Sequence, residues 1–169
     1  MTERAPAAGL LRILSVEDDS LNRVLLRATL ARADDPRLAG AQLVEAPSVA
    51  DARHELATGD FDLVLLDRRL PDGDGFLLAA ELRAQAVSCR PRIVALTADA
   101  VPETHQAALG AGCDEVLTKP YVPQVLLDVL SGQLDEATAS ARDHPSPAHV
   151  DQQADCRKAG HGQAAHQQQ

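Results

Sequence analysis

Aromatic residues are scarce in this chain of 169 residues: one Tyr, two Phe and no Trp, or 2% of the whole. Apolar content is nonetheless 45%, so any core must be built from Leu, Ala and Val. Excess positive charge is missing too. The formal net charge is −9, and no basic run exceeds the pairs Arg68-Arg69 and Arg157-Lys158. Nonspecific attraction to nucleic acid or to an anionic membrane is therefore disfavoured. No uninterrupted apolar run approaches the roughly 18 residues of a spanning helix, and no secretory signal pattern is visible. The three cysteines, Cys89, Cys113 and Cys156, are odd in number and lack the spacing of a zinc site. A reducing cytoplasm is the expected location.

What is present is a regular alternation. Residues 1–10 read as a loose leader. From residue 11 to about 134, short apolar runs alternate with helical periodicity, the pattern of βα units on a parallel sheet. Strands are expected near 12–16, 42–46, 62–66, 92–96 and 114–118. Ser20 is the expected N-cap of the first helix, with Leu21, Val24, Leu25 and Ala28 as its buried face and Asp34-Asp35-Pro36 closing it. Further helices are expected over about 49–57, 75–86, 101–110 and 123–133, with Pro123 in a first helical turn. Beyond Leu134 the composition turns to Gln, Ala, His and Pro. Residues 135–169 are read as a disordered tail, too poor in large aliphatic side chains to offset ordering entropy. Its irregularly spaced His144, His149, His161 and His166 fit a solvated low-complexity segment better than a metal site.

The strand ends carry the chemistry. Glu17 and Asp18 follow Ile13-Leu14-Ser15-Val16, Asp67 follows Leu63-Val64-Leu65-Leu66, Thr97 follows Ile93-Val94-Ala95-Leu96, and Lys119 follows Val116-Leu117-Thr118. In an open parallel sheet, ligands bind outside the carboxyl ends of the strands. These groups should therefore converge on one crevice. Three carboxylates there raise one another's pKa unless a cation neutralises them, and Mg2+ takes such oxygen ligands. A hydroxyl and an ammonium beside them suit phosphoryl transfer. Taken singly, each has a plain structural reading: a cap for Asp67, a satisfied loop N–H for Thr97, a surface cation for Lys119, a solvated turn for Glu17-Asp18-Asp19. Their combination is what favours a site.

Ile13–Asp19, Val64–Gly75, Ile93–Ala98 and Ala111–Pro120 together resemble the receiver domain of bacterial two-component response regulators, over residues 12–133. The resemblance implies a flavodoxin-like α/β fold, a doubly wound five-stranded parallel sheet of order 2-1-3-4-5 with helices on both faces. It implies that Asp67 is the phosphoacceptor, that Glu17, Asp18, Asp67 and the Arg69 carbonyl hold Mg2+, and that Thr97 and Lys119 contact the phosphoryl group. The implied partners are a sensor histidine kinase or histidine phosphotransfer protein and a downstream protein target, with no nucleic acid and no membrane. Catalysis would be limited to phosphorylation and dephosphorylation of Asp67 itself.

Two positions depart from the family pattern. Val116 stands three residues before Lys119, where receivers commonly carry a switching Tyr or Phe, and Tyr121 lies on the other side of the lysine. Arg69 and Asp99 are expected to face each other at the mouth of the pocket. With no output sequence in view, the chain reads as a stand-alone regulator or phosphorelay intermediate. One rival is a phosphorylation-independent binding module on a receiver fold, which Val116 favours and the intact acid set opposes. A metal-dependent phosphohydrolase would want a second acid near its nucleophile, and Asp67-Arg68-Arg69 does not offer one.

Overall fold

A computed structural model describes residues 10–85 and 90–142. The leader up to residue 9, Cys89, Cys156 and the tail from residue 143, with its four histidines, lie outside the described residues. Five strands form one parallel sheet: β1 (Arg12–Val16), β2 (Gln42–Ala46), β3 (Leu63–Asp67), β6 (Arg92–Thr97) and β7 (Glu115–Thr118), in the order β2-β1-β3-β6-β7. This is the expected 2-1-3-4-5 winding. The other elements are α1 (Ser20–Leu30), α2 (Pro36–Ala39), α3 (Val49–Thr58), the hairpin strands β4 (Arg69–Leu70) and β5 (Gly73–Asp74), α4 (Gly75–Ala84), α5 (Pro102–Gly110) and α6 (Pro123–Arg142).

Successive side chains of a strand point to opposite faces of the sheet, which gives two aliphatic layers. Leu14, Val16, Val64, Leu66, Ile93 and Ala95 pack with residues of α3, α4 and α5. Ile13, Leu63, Leu65, Val94 and Leu96 pack with α1, α2 and α6 through Leu26, Leu30, Leu38, Leu126 and Leu130. The central strand β3 is buried from Leu63 to Leu66 and emerges only at Asp67, as a strand covered on both faces should.

The first helix turns differently from expectation. Leu21, Val24 and Leu25 are exposed, as is Ala28, while Leu26 and Leu30 are buried. The inward stripe also carries Asn22 and Arg23, both half-buried. Arg23 has polar work at the sheet rim: its Nη1 donates to the carbonyls of Glu17 and Asp18 at 2.8 Å each. Asp19, not Ser20, is the N-cap, accepting from the backbone N–H of Leu21 and Asn22. The Asp34-Asp35-Pro36 segment leads into the short α2, which Asp35 caps.

The last helix does not stop near residue 133 but continues to Arg142. Leu134 is buried. Gln133 accepts a bond from Arg92 Nε at 3.0 Å, Glu136 pairs with the same arginine, and Arg37 reaches Asp135 at 2.9 Å. Long-range polar contacts hold this extension, and helical apolar periodicity does not register them.

Candidate functional site

Because all five strands run parallel, their carboxyl ends share one rim. The last residue of β1 is followed by Glu17 and Asp18, β3 and β6 end on Asp67 and Thr97, and β7 is followed by Lys119. A cleft of about 320 Å³ opens there, lined by these five residues together with Asp19, Asn22, Arg68, Arg69 and Ala98. One carboxylate oxygen from each of Glu17, Asp18 and Asp67 lies within 4.8 Å of the others. This donor set, all hard oxygen and open on the side of exposed Asp18, fits Mg2+.

Lys119 ties the acids together. Its Nζ donates to Asp67 Oδ2 at 2.7 Å and to Glu17 Oε2 at 2.6 Å. Burial disfavours the ammonium, but the hydrogen bonds to Asp67 and Glu17 outweigh that, and the lysine pKa is raised. Glu17 is only 4% exposed. Without the lysine a buried carboxylate would face Asp67 uncompensated, an arrangement that costs on the order of 3–5 kcal/mol. The other Asp67 oxygen, Oδ1, accepts the backbone N–H of Arg69 at 3.1 Å. Thr97 is buried, and its Oγ1 accepts the backbone N–H of Asp99 at 3.1 Å. Its own hydroxyl proton is thus left to donate.

The surrounding backbone fixes Asp67. Gly75 N–H donates to Arg68 O at 2.7 Å. A side chain at Gly75 would place its Cβ 2.1 Å from the Asp67 carbonyl oxygen, so only glycine permits this approach. Asp72, in the β4–β5 turn, accepts from the N–H groups of Val49 and Ala50 at 2.8 and 2.9 Å. These two hydrogen bonds lower its pKa and pin the turn to the start of α3.

At the cleft mouth Arg69 Nη2 meets Asp99 at 3.0 Å, the pairing expected from sequence. The part taken by Arg68 is not among those expectations. Its Nη1 donates to both Asp99 and Thr104, at 3.2 and 3.1 Å, and its guanidinium carbon lies 5.1 Å from the Phe76 ring centroid. Adjacency to Asp67 is the one sequence signal that marks Arg68. Its partners come from α5 and the loop before it, which one strand end does not disclose. Val116 is half-buried against the α3–α5 layer, and Tyr121 packs on the opposite layer, its hydroxyl pKa raised by burial. Cys113 is buried, and burial pushes its thiol up to about 11, leaving it unreactive.

Comparison with known proteins bears on all of this. The transcriptional regulatory protein GltR of Pseudomonas aeruginosa is 36% identical over 126 residues, 74% of this chain and 49% of that protein. The two-component response regulator ORR41 of Oryza sativa subsp. japonica is 34% identical over 128 residues, 74% of this chain and 95% of that protein. Among solved structures, the CheY-like response regulator receiver domain protein of Methanospirillum hungatei JF-1 superposes with a TM-score of 0.68 at 26% identity, over 78% of this chain and 99% of the other. The family profile of the response regulator receiver domain matches residues 13–131. The chain belongs to the response regulator receiver domain family.

Proposed function

We propose that this chain takes a phosphoryl group from a phosphohistidine onto Asp67 and signals through the resulting change in its surface. The observation that carries the reading is the convergence on Asp67: two further carboxylates with oxygens within 4.8 Å, and the Lys119 ammonium at 2.7 Å. The donor is a sensor histidine kinase or a histidine phosphotransfer protein, and the receiver of the signal is another protein. A cytoplasmic setting suits such partners; no helix among the described residues is long and apolar enough to cross a membrane.

The chain's own residues account for most of the work, which in phosphoryl transfer is positioning and charge stabilisation. An Asp67 carboxylate oxygen attacks phosphorus in line, the P–N bond to the imidazole breaks, and the ring nitrogen keeps the electron pair. Lys119 follows the charge, exchanging an Asp67 oxygen for one of the phosphoryl oxygens. Thr97, its acceptor side occupied by Asp99 N–H, donates its proton to another. Glu17, Asp18, Asp67 and the Arg69 carbonyl would hold Mg2+, which when bound neutralises the phosphoryl oxygens and relieves repulsion among the acids. Water later attacks phosphorus, releasing phosphate and restoring the Asp67 carboxylate.

The test is incubation with a small acyl phosphate and Mg2+, read on phosphate-affinity gels. Wild type should shift and Asp67→Asn should not. Labelling of the Asn variant at the wild-type level would reject Asp67, and no labelling of either would favour the phosphorylation-independent module that Val116 makes the natural rival.

A further inference from the structure

Arg68 has no part in the transfer chemistry set out above, yet both its main chain and its side chain are tied down at the rim. Its backbone N–H donates to Leu96 O at 3.2 Å and its carbonyl accepts from Gly75, so its main chain is bolted to the sheet and to the start of α4. Its side chain rests on the Phe76 ring and comes within 3.7 Å of Asp74. From this fixed base one nitrogen, Nη1, donates to two acceptors, Asp99 and the buried Thr104. The second acceptor sits in the first turn of α5. Helices α1 to α4 each begin with a side-chain cap, from Asp19, Asp35, Ser48 and Asp74, whereas α5 begins at Val101 with none. Arg68 thus ties the first turn of α5 to the rim through the Thr104 hydroxyl, without capping any of that turn's backbone N–H groups.

We propose that Arg68 is the positioning residue through which a phosphoryl group on Asp67 displaces the first turn of α5, a part that Val116, with no ring to turn, does not play. This inference rests on the phosphoacceptor reading above. A phosphoryl group draws the Thr97 hydroxyl inward, and Asp99 follows because its N–H is bonded to that hydroxyl. The same negative charge competes with Asp99 for Arg69, whose side chain is 74% exposed and free to swing. Asp99 is then left with Arg68 alone. Since Arg68 is held from behind, the strengthened bond to Asp99 is made at the expense of the bond to Thr104, and the uncapped turn is released.

The experiment uses beryllofluoride with Mg2+ as the phosphoryl stand-in and hydrogen exchange of the full chain as the readout. In wild type, the ligand should speed exchange across residues 101–106 several-fold. In Arg68→Ala the affinity for beryllofluoride should stay within about threefold, while exchange there should be fast from the start and change less than about twofold on binding. Thr104→Val, which keeps the shape and removes the acceptor, should behave alike, and so guards against Arg68→Ala failing to fold. A ligand-induced change of wild-type size in either variant would overturn the proposal. Wild type that binds beryllofluoride but shows no change at α5 would overturn it too. Failure of wild type to bind at all would reject the phosphoacceptor reading and this inference with it.

Discussion

Arg69, which lines the acid cleft, pairs with Asp99, its Nη2 at 3.0 Å from one carboxylate oxygen and 3.3 Å from the other. Both are wired into the site by their backbones: Arg69 N–H donates to Asp67, and Asp99 N–H donates to Thr97. A pair with so exposed an arginine contributes only about 0–1 kcal/mol to stability. Bonded through their backbones to Asp67 and Thr97, the two residues are expected to have more leverage on a rate than on folding.

Arg69→Ala and Asp99→Ala should each speed loss of phosphate from Asp67 several-fold by opening the line of attack for water. Each 1.4 kcal/mol of barrier is roughly tenfold in rate, so partial uncovering is enough to measure. The double variant should gain less than the product of the two, because the residues act as one. Dephosphorylation half-lives of both single variants equal to wild type would make the pair ordinary loop charges.

Gly75→Ala should disturb the site without touching a polar group. The new Cβ would lie 2.1 Å from Asp67 O and 3.1 Å from Leu66 Cγ, and the first of these is backbone that moves only with β3. A loss of about 2 kcal/mol or more is expected from urea unfolding, together with slower phosphorylation of the folded fraction. An unchanged midpoint would show that α4 starts without pressing on Asp67.

The site was legible in sequence for a topological reason. Once five apolar runs are read as parallel strands, their carboxyl ends fall on one rim, and the residues following them need no further information to meet. Orientation of α1 was not legible, because that helix carries two stripes. Leu21, Val24, Leu25 and Ala28 form the more apolar one, but the buried stripe contains Asn22 and Arg23, and Arg23 binds the carbonyls of Glu17 and Asp18. Apolar periodicity alone favours the wrong face. The β4–β5 hairpin, two residues a side, is too short to leave a pattern, and the link from Arg68 to Thr104 joins residues 36 apart.

The helical extension past residue 133 gives a boundary that can be cut. Truncation after Gln133 removes buried Leu134 and one partner each of Arg37 and Arg92, namely Asp135 and Glu136. Leu134→Ala alone should cost about 2–3 kcal/mol, and the truncation at least as much. Truncation after Arg142 removes only the Gln-, Ala- and His-rich segment and should leave both the urea midpoint and the phosphorylation rate unchanged. A large loss on truncation after Arg142 would show that the tail docks on the domain.

Acid should weaken the junction of α2 and α6 through Asp35. This carboxylate accepts from Arg37 N–H, from Arg37 Nε and Nη2, and from Ser131 Oγ at 3.0 Å. The side-chain bonds from Arg37 lead, burial opposes them, and the pKa is drawn down to about 2. In the unfolded chain an Asp titrates near about 3.9. A group whose folded pKa is depressed contributes stability above its unfolded pKa, and that contribution fades as pH falls from about 4 towards about 2. Asp35→Asn should therefore have a lower urea midpoint than wild type at neutral pH, with the gap closing through that window. Because Arg37 is 43% exposed, solvent screens the pair and the gap should be modest. A gap that holds constant from neutral pH to about 2.5 would assign the effect to the altered hydrogen-bond geometry of the amide, since Asn caps a helix as well as Asp does, rather than to the ionised carboxylate.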